Sequence, residues 1–507
     1  TDMKSQVSNQ QMASSAQIDK LKNAKIKPQG HLINGGRQPS RDGSVLEVLS
    51  PRDGKPLTTI ANGGAGDIDL AVASARKSFN QGSWSQMAPA GRKKILIKLA
   101  ELIEAHAYKL AVLGVRDNGT EISMALKAEP GSAADTFRYY GEAVDKVYGE
   151  IAPTANNVVA LIERGPIGVV GVIVPWNFPL MIGAWKIAPA LAAGNSVVLK
   201  PAASASLSLL LLAELALEAG LPAGVFNVVT GLGATTGEAL ALHNDVDILA
   251  FTGSGVIGRR LLEYSAQSNL KQVFLELGGK SPNIIFPDAP SLAKAAKAAV
   301  NGIFRNSGQV CISGSRLLVH RDIHDEFLAL VIAETEKLTV GDPLDTASDI
   351  GAIHCIEQLE KNLSYVAKAT NEGATLCAGG KRTLSQSGGY YMEPTIFCNV
   401  SADMQVAQEE VFGPLLCVIP FKNEADAVRI ANATDYGLAA GIWTADLARA
   451  HRMIKTVQSG VIHVNCYGGT DMTVPLGGMK QSGNGHDKSL HGLEKYTTLK
   501  TAWIDIG

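Results

Sequence analysis

A cysteine in the C-terminal half of the sequence stands in a setting that suits nucleophilic catalysis. Cys311 follows a helical segment and the turn residues Gly308 and Gln309, and it lies between Val310 and Ile312. A cysteine attacks a carbonyl carbon as its thiolate, so it needs partner groups that favour the thiolate and stabilise the product of attack. The alternative is a buried, unreactive thiol, which is the more common state of a single cysteine.

An asparagine and a glutamate are candidate partners of this cysteine. Asn177 lies between Pro175 and Pro179 just after a predicted strand, and ligands collect at this end of the strands in α/β sheets. Its amide could donate to a developing oxyanion, or it could satisfy a proline-rich turn. Glu276 ends an apolar strand before two glycines. A carboxylate there either acts as a base with a raised pKa or pairs with a cation.

A glycine-rich turn between a predicted strand and a predicted helix could hold a phosphate group. Gly253, Gly255 and Gly258 form the pattern GxGxxG, in which glycines let a pyrophosphate approach the backbone and a helix N-terminus supplies N–H donors. A purely structural turn is the alternative in a chain with 52 glycines. The loop Gly231–Gly237 has one residue too many for the same pattern. The turn therefore indicates dinucleotide binding only together with other features.

The elements that must position these residues alternate as in a parallel α/β sheet. Apolar runs predict strands, and Ala- and Leu-rich stretches predict the helices that connect them. The first set has strands at Val169–Val174, Ser196–Lys200, Val225–Val229 and Asp247–Thr252, and helices at Lys186–Ala193, Leu207–Ala219 and Arg259–Gln267. The second has strands at Val273–Glu276, Arg316–His320, Leu415–Phe421 and Gly460–Asn465, with a helix at Leu292–Phe304. A domain boundary is predicted near Leu277–Gly279, where two glycines follow a strand.

The composition narrows the class of protein. A chain of 507 residues exceeds one compact core, so two or three units are expected. Lys and Arg total 46 against 48 for Asp and Glu, which argues against nucleic-acid and membrane-surface partners. No apolar run reaches the ~20 residues that span a bilayer. The cysteines are scattered without a CxxC pair or a Cys/His cluster, which predicts no metal site and a reducing, cytoplasmic location.

Six ordered segments together resemble the aldehyde dehydrogenases. They are Pro175–Pro179 (PWNFP), Leu199–Pro201 (LKP), Phe251–Ser254 (FTGS), Leu275–Lys280 (LELGGK), Gly308–Cys311 (GQVC) and Glu409–Pro414 (EEVFGP), and the resemblance runs from about Leu32 to Trp503. It implies an α/β fold with a Rossmann-like cofactor domain, an α/β catalytic domain and a small oligomerisation arm. The cofactor domain is expected at 31–145 and 167–278, the catalytic domain at 279–481 and the oligomerisation arm at 146–166 and 491–507, after a polar N-terminal arm at 1–30. Homodimers or homotetramers are expected.

The resemblance gives the catalytic candidates their roles. Cys311 matches the nucleophile that adds to an aldehyde, with the side chain of Asn177 and the backbone N–H of Cys311 as oxyanion donors. Glu276 matches the base that activates water to hydrolyse the resulting thioester, and this displaces the alternative in which Glu276 binds a ribose hydroxyl. Lys186 and Asp487 fall where the family has a proton route behind the base, and Asp487 replaces a longer glutamate found in many members.

The resemblance also implies NAD as the cofactor, with NADP as an alternative. Lys200 matches the residue at the adenosine ribose, and Ser254 lies near the pyrophosphate. Glu410 and Phe412 match the groups at the nicotinamide ribose and ring. Ala203 stands where many NAD-preferring relatives have a glutamate that would repel a 2′-phosphate, so NADP stays open. The other candidates for cofactor binding are Val174, Pro175, Trp176, Gly233, Gly237, Phe251, Gly253, Gly258 and Leu277.

The substrate is predicted from two C-terminal segments and from a candidate entry tunnel. Asp471–Pro475 and Lys480–Leu490 resemble the branch that acts on γ-glutamylamino-, amino- and guanidino-butyraldehydes. Asp471 could meet a cationic substrate tail, or it could cap a turn. Leu476 stands where many relatives have phenylalanine, which leaves an aryl or indolyl acetaldehyde as the alternative substrate. The tunnel is expected to be lined by Phe178, Met181, Trp185, Val310, Ile312 and Leu476.

Three rival functions are weighed against aldehyde oxidation to an acid. Relatives that pass the acyl group to coenzyme A typically lack a base like Glu276, so its presence favours hydrolysis. A dinucleotide-binding protein without catalysis is disfavoured because Cys311, Asn177 and Glu276 are all present. An unrelated cysteine hydrolase would need a histidine base, and no histidine follows Cys311 before His320.

Overall fold

Residues 14–507 are described by a computed structural model, and their first large unit is a sheet of seven strands. Five strands run parallel, and two more extend one edge in antiparallel pairing. The strands Val169–Ile173 and Ser196–Lys200 are buried along their whole length, because strands covered by helices on both faces carry apolar side chains throughout. In spatial order the strands are Gln272–Glu276, Ile248–Thr252, Val169–Ile173, Ser196–Lys200, Phe226–Val228, His31–Ile33 and Gly36–Gln38. The strand predicted at Val273–Glu276 within the second set is thus wrongly assigned, because it pairs in parallel with Ile248–Thr252 at the edge of the first sheet.

The helices of this first unit include two that begin earlier than the sequence predicts. The helix predicted at Lys186–Ala193 runs over Pro179–Ala192, since proline is favoured at the first helical position, where its missing N–H is not needed. The helix predicted at Arg259–Gln267 begins at Gly255, because the side chain of Ser254 caps it. The others are Ala65–Gln81, Pro89–Ala105, Ala107–Asn118, Ile122–Leu126, Ser132–Ala143, Leu207–Glu218 and Glu238–Leu242.

A second seven-stranded sheet follows the boundary predicted at Leu277–Gly279. The sequence analysis missed four of its strands, Thr375–Ala378, Thr395–Cys398, Pro282–Ile285 and Ala439–Trp443. The last two were missed because one begins with Pro282 and the other contains Gly441, and both residue types are typical of strand breaks. In spatial order the strands are Thr375–Ala378, Thr395–Cys398, Leu415–Phe421, Arg316–His320, Pro282–Ile285, Ala439–Trp443 and Val461–Val464, and only the first pair is antiparallel. The helices are Leu292–Phe304, His324–Glu336, Ile356–Asn371, Gln405–Gln408, Glu424–Asn432 and Leu447–Thr456.

A smaller, three-stranded sheet joins two distant parts of the chain. Val158–Pro166 lies in the middle and pairs antiparallel with Glu150–Ala152 on one side and with Thr497–Asp505 on the other. The two nine-residue strands pair along their whole length. The sheet falls within the segments predicted for oligomerisation, and that role stays a prediction. Two-stranded pairs also form between Val45–Leu49 and Pro56–Ala61, Arg382–Thr383 and Tyr391–Met392, and Tyr436–Gly437 and Met479–Lys480.

Three smaller features bear on the sequence predictions. In the predicted N-terminal arm, residues 14–22 form a helix whose Ile18 packs into an apolar cluster, and residues 1–13 lie outside the described range. Cys377 and Cys398 are not separate thiols as predicted but form a disulfide, because strand pairing brings their Cα atoms to 6.4 Å. This pair gives no support to a reducing, cytoplasmic location, which stays a prediction. Within residues 14–507, no helix is long and apolar enough to cross a membrane.

Candidate active site

The carboxyl ends of the strands in the first sheet gather the predicted residues at one edge. The parallel register sets Ile173 opposite Lys200 and Thr252 opposite Glu276, so the loops that follow these strands open on the same side. Ligands bind outside this edge in open α/β sheets. The predicted residues at or just beyond it are Val174, Pro175, Trp176, Asn177, Lys200, Phe251, Gly253, Ser254, Glu276 and Leu277.

A loop with unusual backbone angles carries Cys311. Asn306, Ser307 and Gly308 have positive φ angles of 49°, 53° and 72°. Such left-handed conformations cost a non-glycine residue about 1–3 kcal/mol and persist only where the surroundings fix them. A Cβ atom at Gly308 would collide with the carbonyl oxygen of Gly413, so this position requires glycine.

Buried hydrogen bonds hold this loop, and we call Thr120, Glu121, Asn177, Asn306 and Gln309 the amide network. The Thr120 hydroxyl donates to Oδ1 of Asn306 (2.8 Å), and the backbone N–H of Asn306 donates to Oε1 of Glu121 (2.9 Å). The Gln309 side chain donates to the carbonyl oxygen of Asn306 (3.0 Å). Burial raises the pKa of Glu121, although the N–H groups that it accepts from oppose this. The strained loop is thus held by Thr120 and Glu121 from outside and by Gln309 from within the loop.

The same network aims the Asn177 side chain. Its Nδ2 donates to the carbonyl oxygen of Gln309 at 3.0 Å. An amide nitrogen carries two N–H groups, so one hydrogen bond fixes the side chain and the second N–H is left for an oxyanion. Asn177 is buried against the loop that leads to Cys311, so the structure brings the two predicted residues together. Its part in catalysis stays a prediction.

Burial dominates the protonation of the Cys311 thiol. Its pKa is raised to about 12, first by burial and then by the carboxylates of Glu410 and Glu276. The backbone N–H of Ile312 and the guanidinium of Arg305 lower it. The thiol therefore keeps its proton at neutral pH, and nucleophilic attack requires a base that accepts the proton.

Arg305 is a site residue that the sequence analysis missed. Its guanidinium lies against Gly468, three residues before Asp471, and its Nε has no hydrogen-bond partner within residues 14–507. Burial lowers the pKa of this guanidinium, and Tyr467 and Cys311 raise it. An unpaired cation here favours the thiolate form of the nucleophile. The one feature of the sequence that could have indicated Arg305 is its charge, since it directly follows the apolar end of a predicted helix.

Glu276 belongs to a buried group of four ionisable side chains, Lys186, Glu276, Asp487 and Lys495, which we call the charged cluster. The Lys186 ammonium lies 2.7 Å from Oδ2 of Asp487, and the Lys495 ammonium lies 2.6 Å from Oδ1. No member is more than 8% exposed. The structure therefore brings Lys186 and Asp487 together, as the sequence analysis expects, and it adds Lys495, which that analysis missed.

The Glu276 carboxyl has a pKa well above its usual range. Burial is the main cause and the Asp487 carboxylate adds to it, whereas Lys186 and Lys495 act against both. Oε1 of Glu276 makes no hydrogen bond to any residue in the described part of the chain. Once ionised, a buried carboxylate with a raised pKa and a free oxygen can take a proton from water, as a general base near neutral pH must.

Unsatisfied polar groups at the same edge fit a dinucleotide. The Lys200 ammonium is buried, and its only hydrogen bond within residues 14–507 goes to the carbonyl oxygen of Pro201 (2.8 Å). Burial lowers the pKa of Lys200 to about 8, so a ribose hydroxyl or phosphate oxygen would stabilise its charge. The hydroxyl of Thr252 is also buried without a partner among these residues. The helix that begins at Gly255 adds N–H donors suited to a pyrophosphate.

The glycines and the alanine predicted at the cofactor have different surroundings. Gly233 and Gly237 bound one short helical turn, and a Cβ atom at Gly237 would lie 3.6 Å from the Lys200 side chain. Gly258 faces the strand instead, where a Cβ atom would lie 2.9 Å from Leu277, so it serves helix–strand packing. Ala203 packs on an apolar cluster.

Glu410 and Phe412 lie over the turn that follows the first sheet. Oε1 of Glu410 accepts from the backbone N–H of Gly279 (3.1 Å), and burial raises the pKa of this carboxyl. A side chain at Gly278 would collide with the same carboxyl. The ring of Phe412 meets that of Trp176 edge to face, with centroids 5.4 Å apart. Both residues are thus beside the strand ends, and their roles at the nicotinamide stay predictions.

The residues predicted for the substrate divide into an apolar set and one exposed acid. All six apolar residues belong to one hydrophobic cluster, in which Phe178, Trp185, Val310 and Leu476 are buried and Met181 and Ile312 are half-buried. Asp471 is exposed, and its carboxylate accepts from the N–H (2.8 Å) and the hydroxyl (2.6 Å) of Thr473. Asp471 therefore caps a turn in this structure, which is the second of its two predicted roles. The tunnel itself stays a prediction.

Comparison with known proteins places this geometry in a family. The model of the aldehyde dehydrogenase family matches residues 38–502. The NADP/NAD-dependent aldehyde dehydrogenase PuuC of Escherichia coli is 48% identical over 474 residues, covering 94% of this chain and 95% of that protein. A crystal structure of an indole-3-acetaldehyde dehydrogenase with NAD+ superposes with a TM-score of 0.95 at 48% identity, covering 97% and 99% of the two chains. That of a γ-glutamyl-γ-aminobutyraldehyde dehydrogenase from Burkholderia cenocepacia also gives 0.95, at 46% identity and 97% and 100% coverage.

Fold and comparisons together define an NAD(P)-dependent oxidoreductase that acts on aldehydes. The chain belongs to the aldehyde dehydrogenase family. The predicted α/β fold and the predicted cofactor NAD are confirmed by the solved relatives. The substrate and the roles of the individual site residues go beyond this family assignment.

Proposed function

We propose that Cys311 carries the substrate as a thioester, which water then hydrolyses with Glu276 as the base. The observation that supports this most is that three groups lie at the cofactor edge: the Cys311 thiol, the amide of Asn177 and the carboxyl of Glu276, whose Oε1 has no hydrogen-bond partner within residues 14–507. A nucleophile, an oxyanion donor and a base are the groups that covalent acyl transfer requires.

The proposed reaction balances in two stages. In the first, the Cys311 thiol gives its proton to a solvent water, its sulfur bonds to the aldehyde carbon, and the carbonyl oxygen becomes an alkoxide that accepts from the Asn177 amide. NAD(P), held by residues such as Lys200 and Ser254, would supply the acceptor for the hydride that this carbon loses, and a thioester would remain on Cys311. In the second stage, Glu276 takes a proton from water and the water oxygen bonds to the acyl carbon. The C–S bond then breaks, which releases the acid and the Cys311 thiolate.

An amino- or guanidino-alkyl aldehyde is the proposed substrate. Support comes from the likeness to a γ-glutamyl-γ-aminobutyraldehyde dehydrogenase and from the charge of Asp471. Asp471 adjoins Met472, which packs on the cluster of predicted tunnel residues. The Arg305 cation repels a like charge near Cys311, so the amino or guanidino group should lie at the far end of the substrate.

An aryl or indolyl acetaldehyde is a second candidate substrate. Leu476 occupies less volume than a phenylalanine would, and Trp185 belongs to the same apolar cluster. The similar indole-3-acetaldehyde dehydrogenase adds to this support. A flat ring would gain from aromatic contact with Trp185.

We also propose that the three-stranded sheet joins this chain to a second copy of itself, in a homodimer or homotetramer. By their register, Ile151 and Ile504 lie on the same face of this sheet, and their side chains are 77% and 43% exposed. Large apolar groups that are this exposed on one face of a sheet are commonly covered by a partner. The partner copy would cover them.

The proposed reaction and substrates are tested by absorbance at the reduced-nicotinamide band, with the purified chain, NAD or NADP and no coenzyme A. The aldehydes are propanal, 4-aminobutanal, 4-guanidinobutanal and indole-3-acetaldehyde. Oxidation without coenzyme A is the expected result, and a strict requirement for coenzyme A would contradict hydrolysis. The Asp471→Asn variant keeps the oxygen that caps the turn but removes the charge. Its KM should rise about tenfold for the cationic aldehydes and stay constant for propanal; an unchanged KM for all of them would remove Asp471 from the proposal.

A further inference from the structure

Lys495 completes the charged cluster because it binds the oxygen of the Asp487 carboxylate that Lys186 does not contact. The two ammonium groups hold different oxygens of the Asp487 carboxylate, at 2.7 Å and 2.6 Å. Lys495 also donates to the carbonyl oxygen of His486 (2.9 Å), and its ammonium lies 5.3 Å from the centre of the Tyr496 ring. These contacts fix the position of a cation that nothing in the sequence motifs assigns.

The chain places this cation behind the base by running a C-terminal segment along the strand that ends in Glu276. The N–H of Leu277 donates to the carbonyl oxygen of Ser482 (2.9 Å), and the N–H of Asn484 donates to that of Leu275 (3.0 Å). Gly483 lies opposite Glu276 in this pairing. Asp487 and Lys495 follow directly, so backbone hydrogen bonds determine where both charges lie.

The four charges of the cluster balance only with Lys495 present. Two lysines and two carboxylates sum to zero when all are ionised, whereas Lys186 alone would face two carboxylates. Two buried carboxylates with one cation do not both stay ionised, because burial penalises an unbalanced charge. Asp487 accepts two ammonium groups and Glu276 accepts none in the described chain, so Glu276 is the one that would keep its proton.

Other ionisable groups around the cluster do not replace this cation. Tyr140 and Tyr496 pack against it from the other elements, and burial holds the pKa of both above its usual range, so they stay neutral. On the outer side, Lys495 borders a surface pocket of about 540 Å³. Its wall includes Phe274, Pro475, His486, His491, Glu494 and Lys495.

We propose that Lys495 is a positioning residue that favours the ionised form of the Glu276 base by balancing the charge of Asp487 from the solvent side. The inference rests on the proposed role of Glu276 in thioester hydrolysis. Lys495 touches neither the nucleophile nor the predicted oxyanion donor, so it should act on hydrolysis and leave the formation of the thioester alone.

The test compares Lys495→Met and Lys495→Arg with the unaltered chain. Each protein is mixed with NAD and propanal, and rapid quenching with mass spectrometry follows the rise and decay of the acyl group on Cys311 from pH 5.5 to 9. Glu276 acts only when ionised, so decay slows as the pH falls through its pKa. Loss of the cation raises that pKa, so the acidic limb of the decay profile for Lys495→Met should move up by about one pH unit, which is about tenfold slower decay on that limb. Lys495→Arg should restore the original profile.

Two controls make each outcome decisive. Glu494→Gln changes a neighbouring charge on the same pocket wall and should leave the profile in place. If Lys495→Met does not fold, Lys495→Gln keeps a donor for the His486 carbonyl while it removes the charge. Superimposed decay profiles, or a decay slowed equally at every pH, would overturn this inference alone. No acyl group on Cys311 in the Glu276→Gln variant, in which slow hydrolysis should let the thioester accumulate, would overturn the proposed function, and this inference with it.

Discussion

The two sides of the active site are held by different kinds of interaction. In the amide network, which carries Cys311, amide, hydroxyl and backbone groups and the Glu121 carboxyl meet at 2.8–3.0 Å and fix a backbone that would otherwise relax. In the charged cluster, Oε1 of Glu276 has no hydrogen-bond partner within residues 14–507, and the protonation of Glu276 depends on three neighbouring charges. The directions of hydrogen bonds therefore determine the amide network, whereas the balance of charges determines the charged cluster.

This difference matches what each side must do in the proposed reaction. Addition to a carbonyl requires the sulfur and the oxyanion donor at fixed positions, and hydrogen bonds supply direction. A base must change its protonation in each cycle, and a fixed hydrogen bond to one of its states would oppose that change. The following substitutions test whether the two sides differ in this way.

Removing the Cys311 thiol, which the amide network holds in place, should lower the oxidation rate more than any other substitution. Cys311→Ala should lower the oxidation rate by about 10⁴-fold or more, because no other group in the site can form the thioester. NAD affinity, measured by calorimetric titration, should change little, since Cys311 is not among the cofactor candidates and most of these lie at the edge of the first sheet. Appreciable turnover by this variant would contradict the proposed mechanism.

Removing the base should slow one stage only. Glu276→Gln should reduce thioester hydrolysis by about 10³-fold, because the amide cannot accept a proton from water. One equivalent of reduced nicotinamide should still appear rapidly, as measured by stopped-flow absorbance, and further turnover should be slow. If the rapid first equivalent is lost as well, Glu276 acts before hydrolysis and the two sides are not separate.

Removing the oxyanion donor should act on the opposite stage. Asn177→Ala should slow the first equivalent of reduced nicotinamide by about 10²-fold, with little dependence on pH, because a neutral hydrogen bond is lost. The pH profile of hydrolysis should keep its shape. A shift of that profile, measured by the same quench experiment, would show that the amide network also controls the base.

Weakening the support of the Cys311 loop should have the smallest effect on rate. Glu121→Gln should lower the free energy of unfolding by about 1–3 kcal/mol, because the amide presents an N–H group to one of two backbone N–H donors that the carboxylate accepts. Activity should fall only a few-fold. Glu101→Gln is the control, since the Glu101 side chain is 56% exposed and should leave thermal unfolding unchanged. Equal unfolding temperatures for both variants would contradict a supporting role for Glu121.

Much of the fold follows from local sequence. The strands Arg316–His320 and Leu415–Phe421 and the helix Leu292–Phe304 lie at their predicted bounds, because apolar runs between clear breakers leave little choice. Proline misled the prediction twice, at Pro179 and at Pro282, where it begins an element instead of ending one. A single residue type thus carries opposite signals, which only the packing around it resolves.

Part of the site could also be predicted from the sequence, because some of its residues stand in recognisable local segments. Cys311 and Glu276 stand in short, distinctive segments, so they could be identified without contacts. Arg305 stands six residues before Cys311 and Lys495 eight residues after Asp487, but no local pattern marks either as part of the site. The pair that Lys495 joins, Lys186 with Asp487, spans 301 residues. No local pattern records such a contact, so charge balance in the folded state was needed to find them.

The three-stranded sheet also sets an order of assembly. Arg164 and Thr497 are hydrogen-bonded at 3.0 Å although 333 residues separate them. Closing so long a loop is slow, because the chain loses freedom before any distant contact compensates. The first sheet needs no residue beyond 276 and can form early on a growing chain, whereas the base acquires Asp487 and Lys495 only when the C-terminal segment docks. A newly made chain should therefore hold its dinucleotide before it can release an acid.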